Sequence, residues 1–248
     1  MFGHIVPIKK LLISIIGVLT FPRLNWINKT KISGTQNLTF LPKSNVLFVS
    51  NHQTYFADVI AMIHIFCSSK WNFINKIKNP IYLLNPKVDT YFIAAEETMK
   101  SGLLPKIFAY AGSVSIKRTW RANGQEVNRQ VDMNDISNIG EALSNGWVIT
   151  FPQGTTKAFA PGRRGTAHII KKYKPIVIPV TINGFRRAFD KKGLFLKKKG
   201  VTLEVNFKAP LVINYEEDSD IILEKIMKAI EQSDEFKNQN FNNETLQK

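Results

Sequence analysis

The sequence predicts an α/β fold in which helices cover a central, mostly parallel or mixed sheet that follows an N-terminal helix. Two observations support this fold class. Short apolar runs rich in β-branched residues recur along the chain, and segments with helical spacing of apolar residues separate them. Strands that alternate with helices favour a sheet that is at least partly parallel and covered on both faces. A length of 248 residues and a hydrophobic fraction of 44% suffice for one large packed domain.

The N-terminal segment, residues 1–29, contains a short apolar run. Two lysines, Lys9 and Lys10, precede the run, which ends before Pro22. It is shorter than the ~20 residues that a membrane-spanning helix needs, and no small-residue cleavage site follows it. We expect a membrane-associated helix over residues 5–21, lying against one leaflet on the cytoplasmic face of the cell membrane, as in a peripheral or monotopic protein. The alternative is a helix packed on the core of the domain.

The main domain, residues 30–215, contains the predicted sheet. Six apolar runs predict strands: residues 46–50, 91–94, 113–116, 147–151, 176–182 and 201–207. Four segments between them predict helices: residues 59–67, 105–110, 133–144 and 166–173. An acidic segment, residues 216–248, follows. In it, Asp218 precedes apolar residues at helical spacing, which predicts a last helix before a polar tail.

The net charge is strongly positive, since 34 Lys and Arg against 19 acids give +15. A field of this sign attracts anionic lipid, phosphorylated substrates, an acidic carrier protein or nucleic acid. The basic residues are spread along the chain without a recognisable nucleic-acid-reading motif, so we expect no nucleic-acid partner. The single cysteine, Cys67, excludes an intramolecular disulfide and indicates a reducing compartment. The four histidines lack HExxH-type spacing, and we predict neither a metal site nor a cofactor.

The stretch SNHQTYFAD, residues 50–58, follows a predicted strand and precedes a predicted helix. A histidine at the carboxyl end of a strand lies where open α/β sheets bind ligands. A nearby carboxylate can accept the Nδ1–H of His52, which fixes the tautomer and leaves Nε2 as a base. The pattern therefore indicates a catalytic pair, His52 and Asp58. Taken alone, the two residues also fit a helix-capping aspartate beside a hydrogen-bonding loop histidine.

Three further stretches accompany this one. Residues 112–118 (GSVSIKR) form a predicted strand that ends in two cations. Residues 151–157 (FPQGTTK) follow a strand and turn on a glycine, and residues 161–165 (PGRRG) precede a helix, where an anion can bind. Residues 177–180 (VIPV) place a proline inside a strand-like run, which suits a sheet edge or a bulge.

In order and separation, these four stretches resemble the glycerolipid acyltransferase family, whose best-known members are the lysophosphatidic acid acyltransferases. The resemblance covers about residues 30–215 and implies that they form an acyltransferase catalytic domain. The family pattern is NH-x4-D, a glycine strand that ends in arginine, FPEGTR, and an apolar block with proline. It implies direct transfer without an acyl-enzyme, which agrees with the lack of a GxSxG elbow here. The histidine removes the acceptor hydroxyl proton, the aspartate orients the histidine, and the later motifs hold the acceptor phosphate.

The resemblance implies that His52 and Asp58 are catalytic. It implies that the substrate-binding residues are Asn51, Thr54, Lys117, Arg118, Gln153, Gly154, Thr155, Arg163 and Arg164. The implied partners are acyl-CoA or acyl-carrier protein as donor, a lysolipid such as 1-acyl-glycerol-3-phosphate as acceptor, and an anionic membrane surface. The alternatives are a lyso amino-acid lipid as acceptor, or a non-catalytic basic relative that binds membranes or nucleic acid.

The chain departs from the family pattern at three places. Five residues, not four, separate His52 from Asp58, so the pair must meet across a turn that absorbs one extra residue. Gln153 replaces the family glutamate and keeps its shape without its charge. Thr156 replaces the family arginine, and a nearby lysine could not reproduce a bidentate phosphate clamp. The two later departures indicate an acceptor other than lysophosphatidic acid, or a phosphate that is held differently.

Overall fold

The computed structural model describes residues 6–100, 102–117, 121–122, 125–126 and 132–237. A seven-stranded sheet forms its centre, and two short strands form a separate antiparallel sheet. The strands are β1 (Lys29–Ser33), β2 (Val46–Ser50), β3 (Thr90–Ala95), β4 (Ser113–Ile116), β5 (Arg121–Ala122), β6 (Gln125–Glu126), β7 (Trp147–Thr150), β8 (Ile176–Asn183) and β9 (Thr202–Phe207). The six predicted strands are present, each within one residue of its predicted ends.

The strands of the large sheet follow the order β1-β9-β8-β2-β7-β3-β4. Neighbouring strands are parallel except β8 and β9, which pair antiparallel. This confirms the predicted mostly parallel, mixed sheet. The carboxyl ends of β2, β3, β4, β7 and β8 therefore lie at one edge, where the loops that follow them can build a common site.

The sequence did not predict β1, because its residues, KTKIS, contain no apolar run. Its burial alternates between exposed and half-buried side chains, as expected for a strand at the edge of a sheet. β1 is placed by parallel pairing with β9, in which Lys29 lies opposite Thr202. A pairing over so long a stretch of chain leaves no local pattern in the sequence.

The described helices pack in two layers on the sheet. They are α1 (Val6–Asn25), α2 (Ala57–Lys70), α3 (Glu96–Lys100), α4 (Leu103–Tyr110), α5 (Met133–Asn145), α6 (Arg164–Tyr173), α7 (Phe185–Ala188) and α8 (Ser219–Ala229). The side chains of β2 alternate between the layers. Val46 and Phe48 pack in the layer that contains α1 and α2, while Leu47 and Val49 pack in the layer that contains α5, α6 and α8.

The predicted C-terminal helix is α8. The side chain of Asp218 caps it by accepting a hydrogen bond from the backbone N–H of Asp220 at 2.8 Å. Ile222 and Ile226 are fully buried in the second apolar layer. The acidic C-terminal helix is therefore joined to the same core as the sheet.

Two faces of α1 are apolar. Ile13 and Phe21 are buried in the core, whereas Leu11, Val18 and Leu19 are between 58% and 67% exposed. The helix thus packs on the core, which was the alternative left open by the sequence, and also presents an exposed apolar face. None of the helices in the described ranges has the length and hydropathy to cross a membrane.

The predicted end of this helix at residue 21 is wrong. α1 continues through Pro22 to Asn25. A proline so near a helix end removes only one of the last hydrogen bonds, and the next turn keeps Leu24 buried in the core. Packing therefore prolongs the helix beyond the residue at which the local sequence indicates a stop.

Polar side chains also join α1 to the domain. The Ser14 hydroxyl donates to the carbonyl of Leu83 at 2.6 Å. Thr20 Oγ1 lies 3.0 Å from Nε2 of the buried His64, whose Nδ1 lies 2.9 Å from the Tyr82 hydroxyl. Burial lowers the pKa of His64 to about 4, so this histidine is neutral and structural at physiological pH.

Candidate active site

The site begins with two neighbouring loops at the carboxyl edge of the sheet. Loop 51–56 connects β2 to α2, and loop 151–163 connects β7 to α6. Because β2 and β7 are parallel neighbours in the sheet, the two loops leave it side by side. His52 lies near the start of the first loop and Phe151 at the start of the second.

The carboxylate of Asp58 is fully buried in the first turn of α2 and accepts four hydrogen bonds. Its Oδ2 lies 2.9 Å from His52 Nδ1, 2.6 Å from the backbone nitrogen of Gln53 and 3.0 Å from that of Thr54. Its Oδ1 accepts from the Thr54 hydroxyl at 2.7 Å. A carboxylate surrounded by donors acts as the acceptor, so Nδ1 of His52 carries the proton. The turn accommodates the extra residue between His52 and Asp58, and the two side chains meet.

The imidazole of His52 is held from a second direction. It stacks on the ring of Phe151, with centroids 3.8 Å apart and planes inclined by 19°. The side chain is 12% exposed and lines a cavity. Because Nδ1 is occupied by Asp58, Nε2 is the ring nitrogen available to a ligand in that cavity. The geometry is that of an oriented general base.

The cavity has a volume of about 610 Å³. Part of its lining is apolar and includes Val59, Phe92, Met99, Ile116, Ile136 and Ile139. Another part is polar or charged: it includes the cations Lys117, Arg163, Arg164 and Lys172, the polar residues Thr155 and His168, and two acids, Asp132 and Asp135. A cavity of this size and composition suits an amphiphile that has an apolar chain and an anionic group.

Two of the predicted cations at the cavity have acidic partners. Nζ of Lys117 lies 3.2 Å from Asp132, and its backbone nitrogen donates to Asp135 at 2.8 Å. The guanidinium of Arg164 makes two hydrogen bonds to Asp220, at 2.6 and 2.5 Å. These acids offset part of the positive charge. Predicted residues Gly154, Thr155 and Arg163 also line the cavity, whereas Arg118 lies outside the described residues.

Three residues predicted to bind substrate have structural partners and are not among the cavity-lining residues. The amide of Asn51 pairs with the backbone of Ile182, donating at 2.9 Å and accepting at 2.8 Å, so it joins β2 to β8. Thr54 is buried and orients Asp58. The amide of Gln153 is buried and donates to the carbonyl of Ala160 at 2.9 Å and to Gln232 at 3.2 Å. It ties the second loop to the C-terminal segment.

The sequence interpretation missed His168 and Lys172, which line the cavity from α6. Together with Arg164, they occupy positions four residues apart on one face of that helix. This spacing was visible in the sequence, but only the fold shows that the face points to the cavity. Asp132 and Asp135 were also missed, and burial raises the pKa of Asp135 above its ordinary value.

The comparisons with known proteins concern the family and the fold of the chain. The Acyltransferase family model matches residues 29–183, which is more than half of the chain. No curated protein sequence matches significantly. Among solved structures, PlsC, the 1-acyl-sn-glycerophosphate (LPA) acyltransferase from Thermotoga maritima, has the same fold with a TM-score of 0.53. The two proteins are 20% identical, and the match covers 89% of this chain and 77% of PlsC. The chain belongs to the acyltransferase family that this model describes, and it is an acyltransferase.

Proposed function

We propose that this enzyme transfers a fatty acyl group from an acyl thioester to the hydroxyl of a lysolipid, with His52 as the general base. The observation that carries the proposal is the 2.9 Å contact of His52 Nδ1 with buried Asp58, at the wall of a cavity with apolar and cationic linings. The apolar part suits a fatty chain, and the cationic part suits a phosphate or another anionic headgroup.

In the proposed reaction, Nε2 of His52 removes the proton of the acceptor hydroxyl as its oxygen attacks the thioester carbonyl carbon. The carbon–sulfur bond breaks, an ester bond forms, and the proton on His52 passes to the departing thiolate. Asp58 stabilises the imidazolium that exists between these two proton transfers. No residue of the enzyme becomes acylated, and a base in this position contributes about 10²–10⁴-fold to the rate.

We propose 1-acyl-glycerol-3-phosphate as the acceptor, in phospholipid biosynthesis, and acyl-CoA or acyl-carrier protein as the donor. Two cations that line the cavity on or beside α6, namely Arg163 and Lys172, support an anionic acceptor. Arg164 lies beside them and is paired with Asp220. This arrangement differs from the family pattern, in which the arginine of FPEGTR supplies the charge at the place of Thr156. A lyso amino-acid lipid is the competing acceptor.

We also propose that the enzyme is peripheral to the cytoplasmic face of the membrane. The exposed apolar face of α1, which includes Leu11, Val18 and Leu19, supports this location. A face of this kind lies in the headgroup region with its apolar side chains toward the acyl boundary. The acceptor, a membrane lipid, would then be present on the side from which the enzyme binds.

The test uses purified protein with oleoyl-CoA or oleoyl-acyl-carrier protein, and separately with 1-acyl-glycerol-3-phosphate, lysophosphatidylcholine and a lyso amino-acid lipid. Mass spectrometry measures the diacyl product. We expect the highest kcat/KM with 1-acyl-glycerol-3-phosphate and at least a hundredfold lower kcat in His52→Ala. Thermal melting of His52→Ala controls for its folding. Wild-type turnover in a folded His52→Ala enzyme, or no product with any lysolipid, would refute the proposal.

A further inference from the structure

The connection between β8 and β9 is densely positive. Residues 184–200, here called the basic segment, contain two arginines (186–187) and five lysines (191–192 and 197–199), all of them exposed. Asp190 is its single acid. The carboxylate of Asp190 accepts hydrogen bonds from the backbone nitrogens of Leu194 and Phe195, at 2.8 and 2.9 Å. The acid therefore shapes the turn. Arg186 donates to the carbonyl of Thr156, and all seven cations remain exposed.

An aromatic side chain, Phe195, lies between the lysine pair 191–192 and the lysine triplet 197–199. Phe195 is 69% exposed, although a phenylalanine ring gains by burial. The turn that Asp190 stabilises holds this ring outward. Exposed aromatic and cationic side chains together are the composition that binds the headgroup region of an anionic bilayer.

The basic segment adjoins the exposed apolar face of α1. Arg23, in the last turn of α1, donates to the carbonyl of Leu194 at 2.5 Å, and the backbone nitrogen of Gly200 donates to Ile27 at 2.9 Å. The cationic surface is thus fixed to the carboxyl-terminal end of the helix that exposes Val18 and Leu19. An apolar surface beside a cationic surface is complementary to an anionic bilayer, in which charged headgroups cover apolar acyl chains.

The same segment holds the catalytic loop. The backbone nitrogens of Tyr55 and Phe56 donate to the carbonyls of Lys191 and Lys192, at 3.1 and 2.9 Å. Tyr55 and Phe56 lie between His52 and Asp58, in the turn that contains the extra residue of this chain. The backbone of the basic segment therefore supports the loop that carries the catalytic pair, while its lysine side chains are exposed.

We propose that the basic segment is a docking surface for an anionic lipid bilayer, which it holds beside the catalytic loop. The inference deepens the proposed function, because it rests on the acceptor being a membrane lipid. An acidic carrier protein would also be attracted to the lysines. The exposed Phe195 and the continuity with the apolar face of α1 favour the bilayer, since both add apolar surface to the charge.

The experiment measures binding of the full-length protein to vesicles of phosphatidylcholine with and without phosphatidylglycerol, by sedimentation. The variant Lys198→Gln/Lys199→Gln removes two exposed charges, and we expect roughly 30-fold weaker binding to the anionic vesicles. The matched control Lys225→Gln/Lys228→Gln removes the same charge from α8, on the other layer of the fold, and we expect less than a threefold change. Phe195→Ser is expected to weaken binding to both kinds of vesicle.

Transfer to a detergent-dispersed short-chain lysolipid separates this inference from the proposed function. We expect wild-type kcat in both lysine variants, because neither changes the catalytic loop. Wild-type vesicle affinity in Lys198→Gln/Lys199→Gln, or equal weakening in the α8 control, overturns the docking surface. Unchanged vesicle binding together with a raised KM for acyl-carrier protein alone also overturns it and assigns the lysines to the carrier. Failure of the proposed function has a different signature, namely no transfer even by the wild-type enzyme.

Discussion

The hydroxyl of Thr54 donates a 2.7 Å hydrogen bond to Oδ1 of Asp58, the carboxylate oxygen that does not contact His52. Thr54 thus controls the rotation of the carboxylate, although it does not contact the cavity. We expect Thr54→Ala to lower kcat about tenfold with little change in KM, because a lost hydrogen bond to a charged group costs about 1.5–3 kcal/mol. Thr54→Ser keeps the hydroxyl and should restore kcat. Equal activity in the wild type, Thr54→Ala and Thr54→Ser would show that the backbone nitrogens of Gln53 and Thr54 suffice to orient Asp58.

Asp58→Asn tests the tautomer of His52. Asparagine has one acceptor oxygen instead of two and no negative charge, so it cannot accept all four hydrogen bonds or stabilise an imidazolium as Asp58 does. We expect kcat to fall by about 10²–10⁴-fold. Asp135→Asn serves as the matched control because it changes another acid at the cavity that does not contact His52. Comparable losses in both variants would mean that Asp58 has no special role.

Lys172→Gln tests whether the charge on α6 binds the acceptor. Lys172 lines the cavity, whereas its neighbour Lys171 donates to the carbonyl of Glu217. We expect Lys172→Gln to raise KM for a phosphorylated acceptor about threefold to tenfold with kcat unchanged, as for the loss of uniform binding at an exposed site. Lys171→Gln is the control on the same helix. An unchanged KM in Lys172→Gln would leave Arg163 and Arg164 as the phosphate-binding cations.

Gln153→Glu restores the residue of the family pattern and tests a structural role. In this chain the amide donates to Ala160 and Gln232, and a carboxylate would face two acceptor oxygens. We expect the free energy of unfolding to fall by about 1–3 kcal/mol, with the ratio of kcat/KM between two acceptors unchanged. Chemical denaturation and acceptor competition measure the two quantities. A change of acceptor preference without loss of stability would show that Gln153 contributes to acceptor binding.

Lys9 makes the stability of the enzyme dependent on pH. Its side chain is 3% exposed, and Nζ donates to the carbonyl of Thr90 at 2.8 Å. Burial lowers the pKa of Lys9 from 10.5 to about 7. The unfolded chain therefore binds more protons between pH 7 and pH 10.5, and in this window stability rises with pH. We expect a gain of about 2 kcal/mol from pH 7 to pH 9 relative to Lys9→Met. Parallel unfolding curves for the two proteins would contradict this.

The sequence predicted those parts of the molecule that local pattern determines. β2 and β7 are mostly apolar runs because both of their faces are buried. His52 and Asp58 are close in the sequence, so a single turn brings their side chains together. The sequence could not show that Asn51 and Gln153 turn away from the cavity. Their partners, Ile182 and Gln232, lie 131 and 79 residues away along the chain. A side chain that binds substrate and one that is hydrogen-bonded to a distant part of the chain have the same local signature.

The packing of α1 on the core limits how deeply the enzyme could enter a bilayer at the proposed membrane surface. Ile13 and Phe21 are core residues, and Ser14 and Thr20 are hydrogen-bonded to the domain. The helix cannot leave the sheet to sink among the acyl chains without exposing that core to water. The proposed membrane contact of α1 is therefore limited to the side chains that already face outward, such as Leu11, Val18 and Leu19. If the enzyme is peripheral to the membrane as proposed, the described domain would bind and leave the bilayer without unpacking α1.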